Sequence, residues 1–286
     1  MEYKLFGNTG RTVSRLGFGG AVAGLKNYLE AFDPDDRESY NGVVEAIGRA
    51  YELGVTYFDT APGYGDHRSE RMFGDGLSGI DPESVFLATK LTGRTRDDVF
   101  RSAEASLKSM RRDYVDLIQI HGSSYSDEQA ADILAEGGLL DAMEDLKRQG
   151  LTRFIGFTTE DNNDGMYRLM KSDRFDSVQM CYNFLFQHPY EASRPFGSLI
   201  EAKKHKLGTI TMRTATSDTF QRWIRMINPD NAFDYTPPLI QFVLSNPLVD
   251  VALVGMRTTD MVERNAKIAD DLSGRIDLDE LFKRYV

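Results

Sequence analysis

Short apolar runs, several rich in β-branched residues, recur along this 286-residue chain. Between them lie longer stretches whose apolar residues fall at i, i+3 and i+4, the spacing of an amphipathic helix. The runs cover residues 15–20 (RLGFGG), 56–61 (TYFDTA), 85–91 (VFLATKL) and 114–122 (YVDLIQIHG). They continue at 153–158 (RFIGFT), 177–183 (SVQMCYN), 208–214 (GTITMRT) and 249–256 (VDVALVGM), eight in all. Helical period marks 41–53, 97–111, 139–149, 194–206 and 258–269. Near-continuous apolar strands alternating with helices predict a parallel sheet covered on its faces by helices. Eight such units in roughly 250 residues predict an α/β fold of the closed (β/α)8 (TIM) barrel type rather than a six-stranded open sheet. The opening EYKLFGNTGRTVSRL predicts a β-hairpin, turning near GNTGR, ahead of the first barrel strand. No linker-like or low-complexity stretch divides the chain, so the expectation is one domain over residues 1–286.

In such a barrel the active site forms at the C-terminal ends of the strands. That rule gives the stretch FDTAPGYG (58–65) a meaning: Asp59 ends the second run, and Tyr64 follows in the loop between Gly63 and Gly65. Lys90 closes the third run and His121 the fourth. Each alone reads equally well as a satisfied buried polar group; their convergence on one rim is what points to chemistry. A phenol with a pKa of about 10 is a poor acid at neutral pH. A nearby ammonium favours the phenolate, a carboxylate holds the ammonium in place, and a neutral imidazole donates a hydrogen bond to a substrate oxygen. Asp59, Tyr64, Lys90 and His121 therefore suit hydride transfer from a cofactor to a carbonyl carbon, with Tyr64 protonating the oxygen.

Composition narrows the partners. The formal charge of −10 argues against nonspecific nucleic-acid binding, which needs basic patches to neutralise phosphates. No apolar run approaches the roughly 18 residues of a membrane span. The four histidines (67, 121, 188 and 205) form no zinc-type motif, so no metal is expected. The single cysteine, Cys181, and an N-terminus without signal-peptide character make a cytoplasmic location the expectation. Nothing in the sequence specifies an oligomeric state.

Taken with these motifs, the chain resembles the aldo-keto reductase family over nearly its whole length. The similarity is carried by LGFGG, ELGVTYFDTAPGYG, HRSERMFGDGL, LATK, SLKSMRRDYVDLIQIH, IGFT and VQMCYN, which follow one another in family order. The resemblance implies that Asp59, Tyr64, Lys90 and His121 stand in the places of the catalytic tetrad. It also implies an extended nicotinamide dinucleotide bound without a Rossmann fold, and GFGGAVAG (17–24) is indeed no GxGxxG, since Val22 stands where the third glycine would be. By position, Thr158, Thr159 and Gln179 fall at the carboxamide contacts, Met212 at the nicotinamide face and Arg213 among the pyrophosphate contacts. GMRTTDMVERN (255–265) falls at the adenosine-phosphate segment, with Gly255, Arg257 and Asn265 as contacts. The chain departs from the family pattern at Thr158-Thr159, where a Ser-Asn pair is usual, at Met212, where an aromatic ring is common, and at Arg264, where a Glu commonly meets adenine.

Two segments stand near the expected rim. Residues 26–39 (KNYLEAFDPDDRES) follow the first barrel strand, and residues 215–236 hold the only tryptophan, Trp223, as either a lid or a packed surface excursion. The expectation is an NADPH-dependent reductase of a small aldehyde or ketone, with NADH possible; polar rim loops suit sugar-like carbonyls. Two alternatives stay open: a Schiff-base aldolase using Lys90, and a non-enzymatic cofactor-binding subunit resembling the potassium-channel β subunits.

Overall fold

A computed structural model describes residues 1–93, 95–190 and 196–283. The hairpin forms as expected, with β1 (Tyr3–Leu5) antiparallel to β2 (Thr12–Ser14). Eight parallel strands then close into a barrel: β3 (Leu16–Gly19), β4 (Tyr57–Asp59), β5 (Phe86–Leu91), β6 (Val115–Ile120), β7 (Thr152–Thr159), β8 (Ser177–Cys181), β9 (Gly208–Met212) and β10 (Val251–Gly255). Each strand pairs with its neighbour in the chain, and β10 pairs with both β9 and β3 to close the ring. Among the described residues, no helix is long and apolar enough to cross a membrane.

Alternation along the strands decides what the barrel encloses. Tyr57, Phe86, Ala88, Leu117 and Ile210 share one buried apolar cluster with Phe6 and Val13 of the hairpin segment. Phe18, Phe58, Leu87, Ile118 and Val178 instead join the larger core beneath the helices. The same period puts Asp59 two residues past Tyr57, Lys90 two past Ala88 and Gln119 two past Leu117, all on the interior face. Phe6 packs edge-on against Phe86 at 5.0 Å and beside Tyr57 at 5.7 Å. Tyr57 and Phe86 begin their strands, so the hairpin covers the N-terminal end of the barrel and leaves the C-terminal rim open.

The helices differ more from expectation than the strands do. Helices Arg37–Glu52, Arg96–Met110, Leu139–Arg148 and Thr259–Asp270 match the predicted segments within a few residues. In the predicted 194–206 segment a helix covers Ser198–Lys204, and positions 194 and 195 lie outside the described residues. Helices Arg68–Gly76, Asp127–Leu134, Asp164–Met170, Thr219–Ile227 and Thr236–Ser245 fall outside the segments given by helical period. The last is apolar nearly all round and buried from Leu239 to Leu244, which erases the polar face that a periodicity argument needs.

Candidate active site

The floor of the rim is an ion pair inside the barrel. Lys90 Nζ lies 2.6 Å from Asp59 Oδ1 and donates to the Thr60 carbonyl at 2.9 Å. The second carboxylate oxygen accepts from Gln119 Nε2 at 3.1 Å. Both charged side chains are almost wholly buried. Burial works against the Lys90 ammonium, but Asp59 and Tyr64 more than offset it and the lysine stands above its ordinary pKa. Burial raises the Asp59 carboxyl in turn, against the pull of Lys90.

Tyr64 is held over this pair by a tight turn rather than on a loose tip. Its backbone N–H donates to the Ala61 carbonyl, and its carbonyl accepts from Ser69 N, both at 3.1 Å. Gly65 has φ +75°, and a Cβ there would lie 2.1 Å from the Gly24 carbonyl oxygen; only glycine fits. Lys90 Nζ sits 4.9 Å from the Tyr64 ring centroid, and His121 meets that ring edge-on at 5.7 Å. The sequence led us to expect a depressed Tyr64 pKa. The structure shows the reverse: burial raises it, and the opposing pull of Lys90 is the smaller effect.

His121 lies one residue beyond β6, open to the cavity. The surrounding protein and the Lys90 charge lower its pKa to about 4, so the imidazole is neutral at neutral pH. Because the folded value lies below the reference of 6.5, protonation favours the unfolded chain. His121 thus removes stability as pH falls from 6.5 towards about 4. A His121→Gln variant should lose less stability than its parent across that window, measured as urea midpoints at its two ends; equal losses would clear His121 of this role.

From these four residues a cavity of about 660 Å³ runs past Gln179 and Met212 to Arg257 and Asn265. Thr158, Arg213 and Gly255 also line it. The Thr158 hydroxyl donates to the Gly122 carbonyl at 2.7 Å and accepts from Gly122 N at 3.0 Å, which ties it to the loop after β6. Thr159 points to the other face of β7, its one hydroxyl proton within reach of the Ser123 and Asp161 carbonyls. Gln179 is nearly fully buried; its Nε2 faces Met212 Sδ at 3.8 Å, while its Oε1 has no hydrogen-bond partner among the described residues. A buried acceptor beside the cavity can take a hydrogen bond from a ligand donor. Arg213 has φ +59° and pairs with Glu160 at 2.8 Å. Gly255 ends β10 beside Val22, whose side chain would lie 2.7 Å from any added Cβ. Buried Arg257 pairs with Glu30, and buried Asn265 sits in helix Thr259–Asp270. Arg264 pairs with Asp234.

Some contributors escaped the sequence reading. Gln119 was findable, since it alternates with Leu117 two residues before His121. Glu160 carried no local signal, and Glu30 was marked only by its place in the segment 26–39 near the rim. Segment 215–236 contains helix Thr219–Ile227, which turns Gln221 and Arg225 to the cavity and leaves Trp223 half exposed. Among the described residues, no group of three or more acidic, His or Cys side chains could hold a metal ion.

A model of the aldo/keto reductase family matches residues 15–214. The chain belongs to that family. It is 32% identical over 166 residues to L-galactose dehydrogenase of Arabidopsis thaliana, a match covering 55% of this chain and 48% of that protein. The chain thus spans about half the length of that relative. Among solved structures, an aldo-keto reductase of Bacillus halodurans in its holo form superposes with a TM-score of 0.78 at 19% identity, over 98% of this chain and 94% of that one. An aldo-keto reductase of Klebsiella pneumoniae in complex with NADPH gives 0.74 at 21% identity, over 98% and 93%. These two likenesses establish the barrel, and the family model establishes membership.

Proposed function

We propose that this aldo-keto reductase reduces a small aldehyde or ketone to an alcohol, using NADPH in preference to NADH, in the cytoplasm. What carries the reading is the buried Asp59–Lys90 pair set beneath Tyr64 and a neutral His121, at one end of a cavity that also holds the orphaned Gln179 carboxamide oxygen. That oxygen and the polar ends of the cavity fit a nicotinamide dinucleotide, a ligand with an amide donor at one end and phosphates at the other. Gln179 would accept from the carboxamide, Met212 would pack on the ring, and Thr158, Arg213, Gly255, Arg257 and Asn265 would line the rest of its path, with Thr159 supporting from behind the strand. When bound, the reduced nicotinamide supplies the hydride.

The chain's own groups do the rest. His121, neutral, donates a hydrogen bond that orients the substrate oxygen. Tyr64 gives its hydroxyl proton to that oxygen as the alkoxide forms, and Lys90 stabilises the phenolate left behind. Asp59 keeps the ammonium in place. The same pairing disfavours aldolase chemistry on Lys90, whose ammonium is buried, raised in pKa and bonded to a carboxylate and a carbonyl. An amine must be unprotonated to form a Schiff base.

Purified protein should oxidise NADPH in the presence of at least one member of a panel of aldehydes, ketones and sugars, sugar-like carbonyls being tried first, followed at the reduced-nicotinamide absorbance. Gln179→Leu should weaken NADPH binding roughly two- to tenfold, the worth of one amide hydrogen bond. No turnover with any panel member, together with no NADPH binding, would overturn the reading.

A further inference from the structure

Arg257 takes its counter-charge from within the protein. Its guanidinium is 8% exposed and needs a counter-charge, because an unpaired buried cation is strongly unfavourable. The partner is Glu30, which is 59% exposed and belongs to the segment after β3 rather than to the helix bearing Asn265. Phe32 from the same segment covers the guanidinium at 4.4 Å. The segment is a strap closed on itself by hydrogen bonds: Asn27 N donates to the Phe32 carbonyl and Phe32 N to Asn27 Oδ1, both at 3.0 Å. Lys26 pairs with Asp33 at 2.5 Å, and Arg68 pairs with Asp35 at 2.6 Å. Its tip, Tyr28 to Glu30, lines the same cavity as Tyr64 and Gln179.

A carboxylate and a phosphate bind the guanidinium fork in the same way, and two anions cannot share it without repulsion. Resting on the reading of the cavity as a dinucleotide site, we propose that Glu30 is an internal stand-in for the 2′-phosphate on Arg257. A cofactor carrying that phosphate displaces Glu30 and frees the strap tip, whereas NADH leaves the pair intact. Glu30 is then the residue that sets the ratio of the two cofactors, by competing with one and not with the other.

The test is a set of titrations of wild type, Glu30→Gln and Arg257→Ala, and of the double variant, with NADPH and NADH by cofactor fluorescence. 2′,5′-ADP and 5′-AMP are added as displacing ligands. Glu30→Gln should tighten NADPH and 2′,5′-ADP by roughly five- to twentyfold, the effect of removing a competing, partly screened carboxylate. NADH and 5′-AMP should stay within about twofold, and the gain should vanish in the Arg257→Ala background. Thermal melting of the free variants, with Glu30→Ala in parallel, checks that the fold is kept. Equal tightening of NADPH and NADH would move the competition to the pyrophosphate and overturn the proposal, as would unchanged NADPH affinity in a folded variant. If wild type binds neither reduced cofactor, the dinucleotide reading fails and the proposal falls with it, an outcome distinct from either of those.

Discussion

Replacing Tyr64 with Phe is expected to lower turnover by about two to four powers of ten, the usual worth of a general acid, while the fold and cofactor affinity stay near those of the parent. The substitution removes one oxygen and almost no packing. The turn that holds residue 64 uses backbone groups only, from Ala61, Pro62 and Ser69, so the ring keeps its place. What is lost is the proton. Burial lifts the Tyr64 pKa above its ordinary value, so the hydroxyl is fully protonated at neutral pH and is, by itself, reluctant to ionise. In the proposed mechanism the proton leaves only as an alkoxide forms above it, with the Lys90 ammonium, 4.9 Å from the ring, stabilising the phenolate. Single-turnover rates with the best carbonyl from the panel give the measurement, with cofactor titration and thermal melting as controls. A folded Tyr64→Phe variant working at half the parental rate would exclude this residue as the acid.

The same residues show what a sequence exposes and what it hides. Position at the C-terminal end of an apolar run carried the inference for Asp59, Lys90 and His121, and period-two alternation in the structure explains why it held. Tyr57 and Asp59, Ala88 and Lys90, and Leu117 and Gln119 sit two apart, so the face that bears the apolar residue also bears the polar one. Barrel closure was legible because the strands are buried on both faces and read as unbroken apolar runs. Helix Thr236–Ser245 was hidden for the matching reason: burial nearly all round leaves no polar stripe. The sign of the Tyr64 pKa shift was hidden differently. Sequence reveals that an ammonium is near, but the cost of removing water around a phenol depends on the whole fold. Glu30 lies 227 residues from Arg257, a distance over which no local pattern speaks.

Asp59 and Lys90 should behave as one unit in turnover and as mutually compensating charges in stability. Lys90→Met leaves a buried carboxylate without its cation, and Asp59→Asn leaves a buried ammonium without its anion. Breaking a buried pair from one side costs about 3–5 kcal/mol of stability, so both single variants should melt well below the parent. The double variant, Asp59→Asn with Lys90→Met, buries no charge at this point and should recover much of that loss. Turnover follows another rule. In the proposed mechanism Lys90 stabilises the phenolate directly and Asp59 acts through Lys90, so once the cation is gone the carboxylate has nothing left to position. Groups that serve one step are grossly non-additive, and the double variant should be about as slow as Lys90→Met alone. Thermal melting and single-turnover kinetics on the four proteins separate the two effects, because recovery of stability without recovery of rate is not what general misfolding produces. If the rate loss of the double variant instead equals the product of the single losses, Asp59 and Lys90 act independently. The carboxylate would then have a route to the chemistry that does not pass through the ammonium.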